Sequence, residues 1–146
     1  MKHIKYFIQF IIIIFLFLIF RFIGLKNSQI ISSYIFKRLG SFFRSNNISL
    51  MNLSIAFPNL SENEKKKIVK QMWANYGKIF SEYMFMKKFR KNLEFSDKIQ
   101  VENQEEIEKI KHRGKPVIFI SGHFNNFELM AMHIEKSEID LAAIYR

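Results

Sequence analysis

The longest apolar stretch of the chain lies at its beginning. Residues 4–23 are apolar except for Lys5, Gln9 and Arg21. A stretch of about 20 apolar residues crosses the hydrocarbon core of a bilayer. A secretory signal peptide would be followed by small residues at a cleavage site, and no such pattern follows here. The pattern therefore predicts an uncleaved transmembrane anchor over residues 1–25.

Two helices with one apolar face are predicted after the anchor. Residues 28–43 carry apolar side chains at helical spacing with cations beside them, which fits either docking at a membrane interface or packing on a protein core. Ser61 and Glu64 form a Ser-x-x-Glu capping box at the start of a second helix. Its apolar and aromatic residues recur every three or four positions over residues 68–83, a stripe that is typical of a core-facing helix.

The pattern changes in the last third of the chain. Residues 117–120 are a short apolar run between turn-forming residues, which is typical of a buried, parallel strand. Residues 139–144 offer a second such strand, and the helix between the two can be capped by Asn125 or Asn126. Two strands joined in this way form a right-handed β-α-β unit. The sequence therefore predicts an α/β fold: an amino-terminal transmembrane helix, a helical segment and the start of a mostly parallel sheet.

Two more elements precede that unit. Residues 95–101 fit a short strand, and residues 102–113 fit a polar helix that Gly114 ends. A parallel sheet needs helices on both faces, and two or three strands do not complete one. We therefore interpret residues 26–146 as the amino-terminal part of a domain, in a truncated or split protein.

The charge of the chain points to a membrane. The formal net charge is +10, which favours anionic partners, but there is no recognised nucleic-acid motif, so we expect a lipid surface and no nucleic acid. Cysteine is absent, which excludes disulfides and cysteine metal sites. More cations follow the anchor than precede it, so the positive-inside rule places the rest of the chain in the cytoplasm. The cations before it are Lys2 and Lys5, and those after its apolar core are Arg21, Lys26, Lys37 and Arg38.

The candidate chemistry lies in the spacing His123-x4-Glu128. Five helical residues turn about 500°, so the two side chains meet only if His123 lies in a loop and Glu128 in the first turns of a helix. Glu128 could then hold one ring nitrogen and leave the other to act as a base. The same spacing recurs at His133 and Glu138, but no strand or glycine precedes it, so we interpret that copy as a solvated helix end.

These residues carry a family resemblance. GKPVIFISGHFNNFE, residues 114–128, resembles the catalytic block of the lysophospholipid acyltransferase superfamily, and its glutamate variant is similar to the lipid A lauroyl/myristoyl acyltransferase branch. NLSIAFPNLSENEK (residues 52–65) and the terminal IYR (residues 144–146) agree with it. The resemblance covers the amino-terminal half of that family. Asn125 stands where the branch usually has glycine and Phe127 where it usually has tryptophan; asparagine tolerates a left-handed turn.

The resemblance implies an enzyme of lipopolysaccharide biosynthesis. Such an enzyme moves a fatty acyl group from acyl carrier protein onto a hydroxyl of a lipid A precursor, at the bacterial inner membrane. His123 would deprotonate the hydroxyl, with Glu128 orienting its ring. Arg146, predicted at the carboxyl end of the second strand, would grip a phosphate of the anionic lipid acceptor. We expect neither a metal nor an organic cofactor, and a single-pass protein with its catalytic part in the cytoplasm.

Two alternatives stay open. The first is a glycerolipid or mannoside acyltransferase, because the assignment to lipid A rests on the softer similarities around residues 52–58 and 126–128. The second is a non-catalytic, membrane-bound remnant, because the predicted sheet is incomplete.

Overall fold

The computed structural model describes residues 2–91, 99–142 and 144. Contacts divide the chain into two compact units, Met1–Phe85 and Met86–Arg146. We call them unit 1 and unit 2. The division into an anchor of residues 1–25 and a domain of residues 26–146 stays a prediction.

The predicted α/β class is wrong. Among the described residues no strand occurs, and the only regular structure is helical. Residues 117–120 are irregular, and so are the described parts of the other two predicted strands; residues 95–98, 143, 145 and 146 lie outside the described residues. Ile118 and Ile120 are 88% and 92% exposed. A strand needs a partner in register to bond its backbone groups, and no described segment pairs with this one.

Unit 1 contains three helices and a short 3-10 turn. They are α1 (Lys2–Phe43), α2 (Asn47–Ala56), α3 (Glu62–Glu82) and the turn Tyr83–Phe85. Among the described residues, α1 is the one helix that is long and apolar enough to cross a membrane. It contains both the predicted anchor and the amphipathic segment that follows.

A kink at Gly24 separates those two parts of α1. Gly24 has φ 78° and ψ 168°, a backbone conformation that residues other than glycine rarely adopt. The Ser28 hydroxyl lies 2.7 Å from the Gly24 carbonyl oxygen and 3.1 Å from that of Phe20. In a straight helix residues 20 and 28 are about 12 Å apart along the axis, further than a serine side chain reaches. The second part of α1 therefore does not continue the line of the first.

α1 and α3 pack closely against each other. Phe80 of α3 contacts aromatic rings on both sides of the kink, with centroid distances of 5.5 Å to Phe17 and 5.4 Å to Phe36. A Cβ on Gly77 would lie 2.4 Å from the Ser32 carbonyl oxygen, so this crossing requires glycine. The aromatic stripe on α3 packs as a core at Phe80, but Tyr76 of the same stripe is 52% exposed, so the predicted core role is wrong for Tyr76.

The predicted start of α3 is confirmed. Ser61 is the N-cap: its hydroxyl accepts a hydrogen bond from the Glu64 backbone N–H at 3.3 Å, and the Glu64 carboxylate accepts one from the Ser61 backbone N–H at 2.8 Å. These bonds satisfy donors that a helix start leaves unpaired.

Unit 2 contains three shorter helices among its described residues. They are α4 (Met86–Arg90), α5 (Gln104–Arg113) and α6 (Glu128–Lys136). α4 packs on α6, where Phe89 and Ile134 are buried and Arg90 forms an ion pair with Glu135. α5 ends at Gly114, with φ 59°, as its pattern predicted.

Candidate functional site

The predicted catalytic segment is an irregular loop that leads into α6. The chain leaves α5 at Gly114 and has no regular structure until Glu128 begins α6. The N-cap of α6 is Phe127, and its side chain makes no capping hydrogen bond. The prediction that Asn125 or Asn126 caps this helix is therefore wrong. Instead, the Asn126 carbonyl oxygen accepts a bond from the Leu129 N–H at 3.2 Å.

Asn125 adopts the left-handed conformation that was expected of it. Its φ is 48°, in the region that glycine enters freely and asparagine enters more readily than other residues. The backbone can therefore turn from the loop into α6 although this chain has asparagine at the position. Asn126, the next residue, is buried.

The structure places His123 in the loop and Glu128 at the first position of α6. This is the placement that the five-residue spacing requires if the two side chains are to meet. His123 is exposed and Glu128 is half-buried. Their pairing as base and orienting acid stays a prediction.

The imidazole of His123 packs on an aromatic ring. The centroid of the Phe127 ring lies 4.3 Å from that of His123, and the two planes are inclined by 57°. Phe127 thus contacts the predicted base directly, a contact that the sequence argument did not assign. The spacing His123-x3-Phe127 at a loop–helix junction was the signal that could have predicted it.

The surroundings of His123 are open. Ile118, Ile120 and Phe124 are all more than four-fifths exposed. Gly122 allows the Phe124 ring to approach the backbone, because a Cβ on Gly122 would lie 2.3 Å from Phe124 Cε2. The loop therefore exposes apolar side chains both before and after His123 in the sequence.

The second copy of the histidine–acid spacing has a different environment. His133 lies within α6, and its Nε2 is buried without a hydrogen-bond partner among the described residues. It lines a cavity of about 540 Å³. Glu138 is exposed and pairs with Lys111 at 2.5 Å, and this contact lowers the pKa of the Glu138 carboxyl. The interpretation as a solvated helix end holds for Glu138 and is wrong for His133.

Two further predictions concern groups that would bind ligands. Arg146, the predicted phosphate-binding residue, lies outside the described residues, so its role stays a prediction. Within residues 2–91, 99–142 and 144, no group of three or more His, Asp and Glu side chains could hold a metal ion.

Comparison with known proteins places the sequence in a family. The family model described as bacterial lipid A biosynthesis acyltransferase matches residues 1–146, which include His123 and Glu128. No curated protein and no solved structure matches the chain.

Proposed function

Because this chain belongs to the bacterial lipid A biosynthesis acyltransferase family, we propose that it moves a fatty acyl group from acyl carrier protein onto a hydroxyl of a lipid A precursor. The family supports acyl transfer in lipid A synthesis. The carrier protein as donor, the acceptor hydroxyl and the residues that act on it are the finer parts of the proposal.

The observation that carries the catalytic assignment is the position of His123 relative to α6. The histidine lies in the loop, Glu128 opens the helix and Asn125 provides the left-handed turn between them. This order is the one that the five-residue spacing requires if the two side chains are to meet, and it supports the proposed pairing. The Phe127 ring packs on the imidazole of His123 and so limits the orientations that the imidazole can adopt.

The proposed reaction is a base-assisted acyl transfer. His123 removes the proton of the acceptor hydroxyl, whose oxygen attacks the thioester carbonyl carbon. The carbon–sulfur bond then breaks, and the imidazolium returns the proton to the carrier thiolate. Glu128 orients the imidazole and stabilises its cation while the proton is held there. Arg146 binds a phosphate of the acceptor, a role that the resemblance of the terminal IYR supports.

We also propose that α1 anchors the protein in the bacterial inner membrane. The support is its length and apolar composition, and the exposure of most side chains in its apolar part. The excess of cations after the span favours a cytoplasmic location for the rest of the chain. Extraction of membranes at alkaline pH followed by amino-terminal sequencing tests this, since a released or shortened chain would contradict an uncleaved anchor.

A second candidate function is that the chain is not catalytic by itself. The exposure of His123 and of the apolar side chains in its loop favours this candidate, because acyl transfer is faster where water is excluded from the reacting groups. In that case the chain is a part of an acyltransferase, and further protein covers the loop.

The experiment that tests the function is acyl transfer in membranes that contain the full chain. Labelled acyl groups are offered on acyl carrier protein with a lipid A precursor as acceptor, and a lysophospholipid serves as the competing acceptor. Transfer to the lipid A precursor supports the proposal. Transfer to the lysophospholipid alone contradicts the acceptor assignment, and a chain without turnover favours the second candidate.

A further inference from the structure

Unit 1 exposes an apolar surface outside the predicted membrane span. Ile48, Met51 and Ile55 of α2 are spaced three and four residues apart, so they share one face of the helix. They are 57%, 56% and 74% exposed. Phe42 and Phe43, at the end of α1, are 83% and 82% exposed. We call these five side chains the α2 surface.

Polar contacts at both ends of α2 hold it against α3. The Trp73 indole N–H donates to the Asn46 side-chain oxygen at 2.8 Å, just before the helix begins. The Lys65 ammonium donates to the Ser54 hydroxyl at 2.9 Å, near its other end. Both donors belong to α3, so polar contacts hold α2 to α3, and Ile48, Met51 and Ile55 nevertheless stay more than half exposed.

The folded part of unit 1 directly adjoins the predicted span. Phe80 of α3 packs both on Phe17, inside the span, and on Phe36, beyond the kink at Gly24. Since one ring contacts both segments, α3 lies beside the end of the span. The kink at Gly24 turns the second part of α1 away from the line of the first, so the chain after the span does not continue along the axis of the span.

The charge of the segment that carries the α2 surface favours lipid over a second copy of the chain. Residues 21–57 contain five cations and no Asp or Glu: Arg21, Lys26, Lys37, Arg38 and Arg44. Arg44 lines the same pocket as Ile48. A basic segment with an exposed apolar face binds anionic bilayers, because the apolar side chains enter the acyl boundary while the cations stay among the headgroups. A second copy would instead bring the same positive charge to the contact.

We propose that the α2 surface is a second membrane-binding site, which inserts into the interface of an anionic bilayer beside the anchor. This inference rests on the proposed anchoring of α1 and adds a contact that the anchor alone does not provide. The chain then meets the membrane through two elements, a spanning helix and an interfacial helix.

The absence of cysteine from the sequence allows a direct test with single probes. Three variants of the full chain, Ile55→Cys, Ile13→Cys and Gln71→Cys, are labelled with an environment-sensitive fluorophore. They are reconstituted in vesicles of phosphatidylethanolamine and phosphatidylglycerol. Ile13 reports on the anchor. Gln71 is the matched control in unit 1: it is exposed on α3, about 160° around the helix from the core-facing Val69.

The proposal predicts a specific set of quenching results. The probe at Ile55 should be quenched by brominated lipid and protected from aqueous iodide, as the probe at Ile13 is, and the probe at Gln71 should show the reverse. Quenching of Ile55 by iodide, with Ile13 still in lipid, would overturn the second site and leave the anchor intact. Protection of Ile55 from both quenchers would show that protein covers this face and would also overturn the proposal. A probe at Ile13 that iodide reaches would instead refute the anchor itself.

Discussion

The rings of His123 and Phe127 lie 4.3 Å apart, centroid to centroid, across the start of α6. Phe127 is also the N-cap residue of that helix, so its backbone position is fixed by the helix that it precedes. The ring contact therefore links the orientation of the proposed base to the position of α6.

This contact predicts that acyl transfer needs an aromatic ring at position 127, and that a ring other than phenylalanine can serve. Aromatic pairs contribute about 0.5–1.5 kcal/mol. If that energy holds the imidazole in place, Phe127→Ala should lower kcat by about two- to tenfold. Phe127→Trp keeps a ring and should restore most of the rate. The readout is initial rates in the acyl transfer assay at matched protein levels; equal rates for the alanine variant and the wild type would contradict a positioning role.

The catalytic assignment predicts a much larger loss at His123. His123→Ala should lower acyl transfer by about 10²–10⁴-fold, the usual contribution of a general base. Glu128→Gln should keep residual activity, because the amide can still hold the ring but no longer stabilises its cation. The readout is labelled acyl transfer in membranes, with protein levels matched by blotting.

The matched control for that experiment is His112→Ala. His112 is exposed in the last turn of α5, next to Lys111 and Arg113. Its removal should leave the rate within about threefold of the wild type, as expected of a side chain without transition-state contacts. His133 is a poorer control, because it lines a cavity and its loss would disturb packing in α6. Full activity of the His123→Ala variant would refute the assignment of the base.

The close crossing of α1 and α3 predicts that replacing a helical glycine by alanine lowers the stability of unit 1 instead of raising it. Replacing glycine by alanine inside a helix normally stabilises it by about 1 kcal/mol. A Cβ on Gly77, however, would lie 2.4 Å from a backbone oxygen of Ser32, which no rotamer change can relieve. Gly77→Ala should therefore destabilise unit 1 by about 1–3 kcal/mol. Thermal unfolding followed by circular dichroism in detergent measures it, and an increased melting temperature would contradict this packing.

The sequence predicted the features that depend on neighbouring residues. The capping box at Ser61 and Glu64, the left-handed glycine after α5 and the left-handed Asn125 all follow from side-chain chemistry within a few positions. The apolar period of α1 and α3 was equally local. None of these predictions required knowing which other parts of the chain these residues contact.

The wrong cap of α6 was a local error, but the larger errors concern features that depend on distant parts of the chain. Residues 117–120 have the composition of a buried strand, but a strand forms only against a partner, and the described residues supply none. The buried position of the His133 Nε2 likewise depends on residues of α5 and the segment before it, which line the same cavity. The close approach at Gly77 required knowing that Ser32, 45 positions earlier, lies beside it.

The capping box of α3 predicts a loss of stability when its hydroxyl is removed. Ser61→Ala leaves the Glu64 N–H without its acceptor, at a cost of about 0.5–2 kcal/mol. Chemical unfolding of the full chain in detergent, followed by the helical circular dichroism signal, measures this change. Ser41→Ala is the matched control, since Ser41 is exposed inside α1, where alanine is the better helix former. A control variant that lost as much stability as Ser61→Ala would contradict the capping explanation.

The same capping box predicts a specific pH dependence. Hydrogen bonds from the side chain and the backbone N–H of Ser61 to the carboxylate lower the pKa of Glu64 below its ordinary value of 4.5. The unfolded chain therefore binds a proton at Glu64 more readily than the folded chain does. It follows that the stabilisation by Glu64 is fully present above its unfolded pKa and is lost as the pH falls through the lower, folded value. The glutamine side chain of the Glu64→Gln variant cannot ionise. The difference in unfolding free energy between wild type and this variant should therefore shrink as the pH is lowered from neutrality through 4.5.

The measurement is chemical unfolding of both proteins across that range. Glu62→Gln is the control, because Glu62 is a first-turn glutamate that lies outside the capping box. A difference that stays constant with pH would show that the carboxylate of Glu64 does not contribute through its charge.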